Sequence, residues 1–392
     1  MDGLDLFCAN KMLVDIERIL PGGVGLAHAD GKTIFVSLAA SGDRVRVSID
    51  REQGNLVFAS VTEVIKAGPD RIEPPCPYFG RCGGCDFQQL TYEAQLNAKA
   101  EIIKDCLQRI AKLDTPAFNV VPSPNPWRYR ARATWQFDSE LRAVGYYERG
   151  SRRVCDVADC AVLVPQLQTT LERVRNSDRP ADLKHLDVVS GPGGVSLAPG
   201  FGAFKTNELT LSVAGELYRY NAEAFFQVNQ ELLPQLLKYA LADAAGETAL
   251  DLYSGVALFA LPLGRRFKRV TAVESNATAT RFARENIESA GLENVSVVTA
   301  TVADWIRSFA SKNKRVDFVL LDPPRAGAES AVIKGILDLQ PSRISYVSCD
   351  PATLARDLKK LVAGGFSIES LCGFDMFPQT HHVETVVHLT MA

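Results

Sequence analysis

Five short apolar runs near the C-terminal end constrain this chain more than any other feature. TALDLYS (248–254), RVTAVES (269–275), VSVVTAT (295–301), VDFVLLDPP (316–324) and RISYVSC (343–349) are rich in β-branched residues, and helical patterns lie between them. Strand and helix alternating in this way build a parallel, doubly wound sheet. Ligands of such sheets bind beyond the carboxyl ends of the strands. Each run ends there in polar or turn residues: Tyr253-Ser254-Gly255, Glu274, Thr301, Asp322-Pro323-Pro324-Arg325 and Ser348-Cys349-Asp350. One such residue is a cap or a turn former, but five on one edge predict a site.

Upstream the rhythm differs. From about residue 10 to 67, alternating Val/Ile runs punctuated by Gly and Asp suggest a small antiparallel barrel. The proline-rich PDRIEPPCP (69–77) marks a boundary. A helical run, TYEAQLNAKAEIIKDCLQRIAKL (91–113), follows, with Leu96, Ala100, Ile103, Leu107 and Ile110 at helical spacing. A β-rich stretch continues to about 220. The expected fold is therefore a multidomain α/β chain: an OB-like β-barrel over 1–68, a β-rich unit over 69–220 and a Rossmann-like doubly wound unit over 221–392. The 46% hydrophobic and 23% charged fractions and the net charge of −3 are those of an ordinary globular chain. No signal peptide and no apolar run of membrane-spanning length is read, so a cytoplasmic protein with no membrane partner and no obligate protein partner is expected.

Nine cysteines without a secretion signal point to metal ligands or reactive thiols rather than a disulfide framework. CPYFGRCGGC (76–85) holds Cys76, Cys82 and Cys85 within ten residues. Four thiolates suit zinc or an iron–sulfur cluster equally on chemistry alone. Residues 127–153 carry seven arginines against three acids, interleaved with aromatics. Arg128, Arg130 and Arg132 alternate, which suits either an RNA-binding face or merely the solvated face of a sheet.

Glu274 follows the first strand run by about 20 residues, where an acid accepts from a ribose hydroxyl. The preceding loop, Gly255-Val256-Ala257-Leu258, has a single glycine. Side chains at 256 and 257 obstruct a pyrophosphate, which argues against a dinucleotide and is compatible with S-adenosylmethionine. DPPR followed by a strand ending in cysteine favours carbon over nitrogen as the methyl acceptor. C5 of uracil becomes nucleophilic only after addition at C6, and Cys349 at a helix start is placed to add. Asp350 opposes ionisation of that thiol. Glu384 would then remove the C5 proton; the bland alternative is a solvent-facing glutamate on an edge strand. His381 and His382 face different ways on an extended chain, so no metal site is expected there.

Together these segments resemble the RNA 5-methyluridine methyltransferases. AFFQVN (224–229), DLYSG (251–255), LDPPRAG (321–327), SCDPATLARDL (348–358) and DMFPQTHHVET (375–385) carry the likeness. The resemblance implies a TRAM-type RNA-binding barrel at the N-terminus. It implies a 4Fe–4S cluster on Cys76, Cys82, Cys85 and Cys160, with Cys155 the competitor for the fourth place. It also implies S-adenosylmethionine held by Gln227, Tyr253, Glu274 and Asp322, on the edge shared by Gly255 and Thr301. Cys349 would be the nucleophile and Glu384 the base, and the helix at 91–113 would pack on the catalytic unit. The branch with barrel and cluster includes the 23S rRNA enzymes. A tRNA uridine-54 enzyme and a non-catalytic RNA-binding protein are the alternatives, and RNA is the expected partner of a monomer. The chain departs from the family's usual residues at Ser254, Ala257, Leu258, Thr301 and Asp350, which implies weaker cofactor binding. Cys8, Cys106 and Cys372 are expected to be structural.

Overall fold

All five apolar runs are strands of one sheet in the computed structural model, which describes residues 11–312 and 316–391; Cys8 lies outside the described residues. The sheet has eight strands. Their order is Val295–Thr299, Phe267–Glu274, Gly246–Leu252, Phe318–Leu321, Arg343–Ser348, Glu384–Met391, Phe366–Phe374 and Val120–Val121. The first five are parallel, and Glu384–Met391 inserts antiparallel between its two neighbours. Sequence order reverses at the strand Gly246–Leu252, whose neighbours are the second and fourth of the parallel strands. This opens the ligand crevice of a doubly wound sheet beside its carboxyl end.

Near-continuous apolar runs are required because helices cover both faces. Ala249, Val270 and Ala272 pack on one side with Phe282, Ala283 and Leu236. Leu250, Leu252, Val273 and Val319 pack on the other with Ile336, Leu354 and Leu358. Ile103, Cys106, Leu107 and Ala111 enter this second layer, so the helix Tyr92–Cys106 lies against the sheet. Its apolar face differs from the expected one. Leu107–Ala111 winds as a π turn, whose extra residue per turn rotates the register. Ile110 is thereby exposed and Ala111 buried, while further upstream in the same helix the polar Gln95 and Lys99 are buried in place of Leu96 and Ala100.

The N-terminal strands form a six-stranded sheet ordered Lys11–Asp15, Arg44–Gln53, Leu56–Lys66, Lys32–Ser37, Val24–Ala29 and Arg18–Leu20. It is not wholly antiparallel as expected: Lys32–Ser37 pairs in parallel with Leu56–Lys66. Val14, Ile34, Val36, Val45 and Val47 alternate into its core. The middle region forms a five-stranded sheet over 132–198, backed by the helix Pro165–Arg175, and a ribbon over 209–220. No helix among the described residues is long and apolar enough to cross a membrane.

Candidate active site

The strand Glu384–Met391 is interior, not an edge, and this decides what Glu384 is. Thr385 pairs with Ser348, so antiparallel register sets Glu384 opposite Cys349. The carboxylate is 2% exposed, and its Oε1 has no hydrogen-bond partner. A buried carboxylate left unpaired is costly unless it serves a ligand or a reaction. Cys349 is half-buried just before the helix Pro351–Ala363, which Asp350 caps by accepting the Thr353 N–H at 2.8 Å, as its sequence signature predicts.

Electrostatics here run against ionisation. Burial, reinforced by Glu384 and Asp322, pushes the Cys349 thiol up to about 12, against the pull of the Arg325 guanidinium. The helix N-terminus does not override this. Burial, then Asp322, holds the Glu384 carboxyl well above its usual range, again opposed by Arg325. Burial pushes Asp322 up to about 7. Asp251, which the sequence reading passed over, is fully buried at the carboxyl end of the first strand. Burial, then Asp322, raises it well above its usual range, against a backbone hydrogen bond from Ala260. An acidic residue inside an apolar strand was the available signal. Glu384, Asp322, Asp251 and, beside Asp251, Glu274 thus share one crevice, a field suited to a cationic ligand.

The loop after the first strand is shaped by backbone rather than by glycines. Tyr253, Gly255 and Ala257 have φ of 65°, 54° and 72°. The left-handed region costs an L-residue about 1–2 kcal/mol, so Ala257 stands where glycine would be unstrained. The loop is tied to the second strand by Glu274, which accepts the Gly255 N–H at 3.1 Å on one oxygen and the Asn276 N–H at 2.7 Å on the other. A carboxylate offers about four acceptor sites, so capacity remains for a ligand. Asn276, not Glu274, caps the following helix. Gln227 is buried, and the buried Tyr253 hydroxyl meets the Glu329 backbone. Thr301 differs from the rest: it lies exposed, its hydroxyl engaged with Asp304 at the start of Val302–Lys312.

Cys76, Cys82, Cys85 and Cys160 line one small cavity of about 20 Å³, with Tyr146 and Arg130. Cys155 is buried nearby on the strand Val154–Asp156 but does not line the cavity. Burial pushes Cys82 and Cys85 up to about 12, and the neighbouring sulfurs raise them further as like charges. Gly84 N–H and Tyr146 O–H approach Cys82 Sγ and Cys160 Sγ at 3.4 and 3.9 Å. Among the described residues no three His, Cys, Asp or Glu side chains are arranged to hold a metal ion. The thiols converge without closing to a coordination geometry.

The three arginines do not share a face. Arg128 pairs with Asp159 at the surface; Arg130 runs beside the thiols; Arg132 donates to the carbonyls of Ala224 and Ala222 at 2.7 and 2.8 Å. Arg132 therefore bonds backbone and is not a free cation, a correction that strand alternation could not anticipate. Arg130 instead joins Arg149, Arg325, Tyr147, His381 and His382 around a cavity of about 500 Å³.

Residues 203–392 match the family model described as tRNA (Uracil-5-)-methyltransferase. The chain is 34% identical to the 23S rRNA (uracil(1939)-C(5))-methyltransferase RlmD of Pseudomonas putida, across 96% of this chain and 93% of that one. It is 33% identical to an RNA methyltransferase of Thermotoga maritima, across 96% and 98%. The crystal structure of Pyrococcus abyssi tRNA (uracil-54, C5)-methyltransferase with S-adenosyl-L-homocysteine superposes with a TM-score of 0.75 at 24% identity, covering 97% of this chain and 100% of that one. The likeness spans the whole chain and the Cys349/Glu384 edge lies within the family-model match: this chain belongs to the RNA (uracil-5-)-methyltransferase family.

Proposed function

We propose that the protein methylates C5 of a uridine in 23S rRNA, with S-adenosylmethionine as methyl donor. The observation that carries this is the antiparallel insertion of Glu384 beside Cys349, at the crevice where Asp322, Asp251 and Glu274 gather. A protein that only binds RNA has no use for a buried thiol–carboxylate pair. The alternative target, a tRNA uridine, uses the same chemistry. The six-stranded sheet over 11–66 is read as the TRAM-type barrel, and the cavity between Arg130, Arg149 and Arg325 as the path of the RNA. The target base leaves its stack to reach Cys349. The divisions at about 68 and 220 belong to this reading.

The donor supplies an electrophilic methyl group on a positively charged sulfur. Cys349 gives its proton to solvent, from which the expelled thiolate later regains one, and the thiolate adds to C6, which moves the C5=C6 electron pair to C5 and the carbonyl oxygen. C5 then bonds the methyl group, and the donor departs with the pair of the broken C–S bond. Glu384 takes the C5 proton; the C5–H electrons re-form the double bond and expel the Cys349 sulfur. The sum is one methyl gained, one proton released and the thiol restored. Glu384 and Asp322 oppose the thiolate until cations occupy the crevice, so cofactor and nucleophile activation are coupled.

The donor set of Cys76, Cys82, Cys85 and Cys160 fits an iron–sulfur cluster by chemistry: four soft ligands line one cavity, and burial raises Cys76, Cys82 and Cys85, which need a cation to ionise. Cys160 is preferred to Cys155 because it lines that cavity. These residues would hold the cluster and staple segment 76–85 to the middle sheet.

Transfer of label from [methyl-³H]S-adenosylmethionine to 23S rRNA and tRNA transcripts, followed by nucleoside analysis, tests the assignment. Labelled 5-methyluridine in 23S rRNA is expected; label only in tRNA selects the alternative, and none in either refutes both. A pH dependence also follows. With Asp322 pushed up to about 7, protons compete with the cationic cofactor below that pH. Affinity should rise with pH by up to about tenfold per unit below 7 and level off above, since binding requires the ionised form. Titration calorimetry between pH 5.5 and 8 checks this, and a flat profile contradicts it.

A further inference from the structure

The segment Asp375–His382 joins the strand Phe366–Phe374 to the strand that begins with Glu384. It thus sets where the carboxylate sits relative to Cys349. Almost nothing in the eight-stranded sheet holds it. The Gln379 carbonyl accepts both the Asp86 and Phe87 N–H groups, each at 3.0 Å. His381 donates its backbone N–H to one oxygen of Asp86 at 2.7 Å and its ring Nδ1 to the other at 2.6 Å. Gln95 and Gln379 bond reciprocally, the Gln95 side chain donating to Gln379 Oε1 at 3.0 Å and accepting the Gln379 N–H at 2.9 Å. The Tyr129 hydroxyl donates to the Pro378 carbonyl at 2.9 Å. Gly23 of the N-terminal sheet lies so close that a Cβ on it would stand 2.9 Å from His381 Cβ.

Two charged groups anchor the segment: the buried Lys99, which pairs with Asp375 and donates to the Phe377 carbonyl, and Asp86, which directly follows Cys85 in the chain. We propose that Asp86 is a positioning residue for C5 deprotonation: it carries the order of the cysteine segment through His381 and Gln379 to the loop that places Glu384. The inference rests on Glu384 being the base. Its physical basis is that both carboxylate oxygens grip one residue by backbone and side chain, which fixes orientation as well as position. Removing the grip leaves the nucleophile untouched, since Cys349 belongs to a different strand and helix. Addition and methyl transfer should then proceed while elimination slows. Disorder in segment 76–85 would act through the same bonds.

The test uses full-length protein, an unmodified 23S rRNA transcript and [methyl-³H]S-adenosylmethionine. Label is read both as SDS-resistant protein–RNA adduct and as free methylated RNA. In Asp86→Ala, adduct is expected to accumulate, with release of product slowed tenfold or more relative to adduct formation. Asp86→Asn keeps an acceptor for the His381 N–H and should lie between; it carries the test if the alanine variant does not fold. Glu384→Gln is run in parallel. If Glu384→Gln traps adduct and neither folded Asp86 variant does, the positioning role is refuted. If Glu384→Gln traps none, the assignment of the base fails instead.

Discussion

Cys349→Ala protein is expected to bind RNA and cofactor and yet transfer no methyl group, and Glu384→Gln protein to transfer it once and stay attached to its RNA. The two substitutions remove different steps. Without the sulfur there is no electron density to place on C5, so turnover falls by a factor of roughly 10⁴ or more, the scale at which covalent nucleophiles are missed. Without the carboxylate the C5 proton remains, and the C6–S bond cannot break by elimination. Denaturing gels of the labelled complex separate the outcomes: a shifted band for Glu384→Gln, none for Cys349→Ala or for the double variant. The size of the effect follows from burial. Glu384 is 2% exposed on an interior strand, so water does not readily replace it as base. Residual methylation by Cys349→Ala above that scale would mean that another route activates the ring.

The largest stability effect is expected at Lys99. This ammonium is fully buried in the helix Tyr92–Cys106, ion-paired with the equally buried Asp375, and donates to the Phe377 carbonyl at 3.0 Å. Burial pulls Lys99 below its ordinary value, and Asp375 lifts it back. Lys99→Met leaves a carboxylate in the interior without its counter-charge, which costs about 3–5 kcal/mol. Replacing both partners, as Lys99→Met with Asp375→Asn, should recover most of that loss, because no charge is then stranded. Thermal and denaturant unfolding of the single and double variants check the pattern. Similar destabilisation of single and double variants would show that Lys99 acts by packing alone.

The pair also shows where the sequence became opaque. Lys99 reads as a solvated charge on an amphipathic helix, and Asp375 as a loop acid; they are 276 residues apart and nothing local marks them as partners. Gln95 and Gln379 are alike in this. Ile110 was misplaced for another reason: a π turn at Leu107–Ala111 advances the face by a residue, and spacing rules assume a uniform helix. Arg132 alternates like a surface residue, yet a loop 90 residues further on brings two carbonyls to its guanidinium. Asp251 was visible as an acid in an apolar run, but only the surrounding carboxylates give it meaning.

What the residues determine by themselves is local and periodic: five β-branched runs with helical patterns between them, polar groups at each carboxyl end, a helix cap at Asp350 and a cluster of thiols. Those patterns suffice for a doubly wound sheet and for the edge on which chemistry sits, because strand ends and side-chain alternation follow from backbone geometry. Which strand lies beside which is a long-range matter. The insertion of Glu384–Met391 next to Arg343–Ser348 turns a glutamate that could have faced water into a buried partner of Cys349. Burial and opposing charge then set the protonation of both groups, and those quantities exist only once distant segments have closed around them.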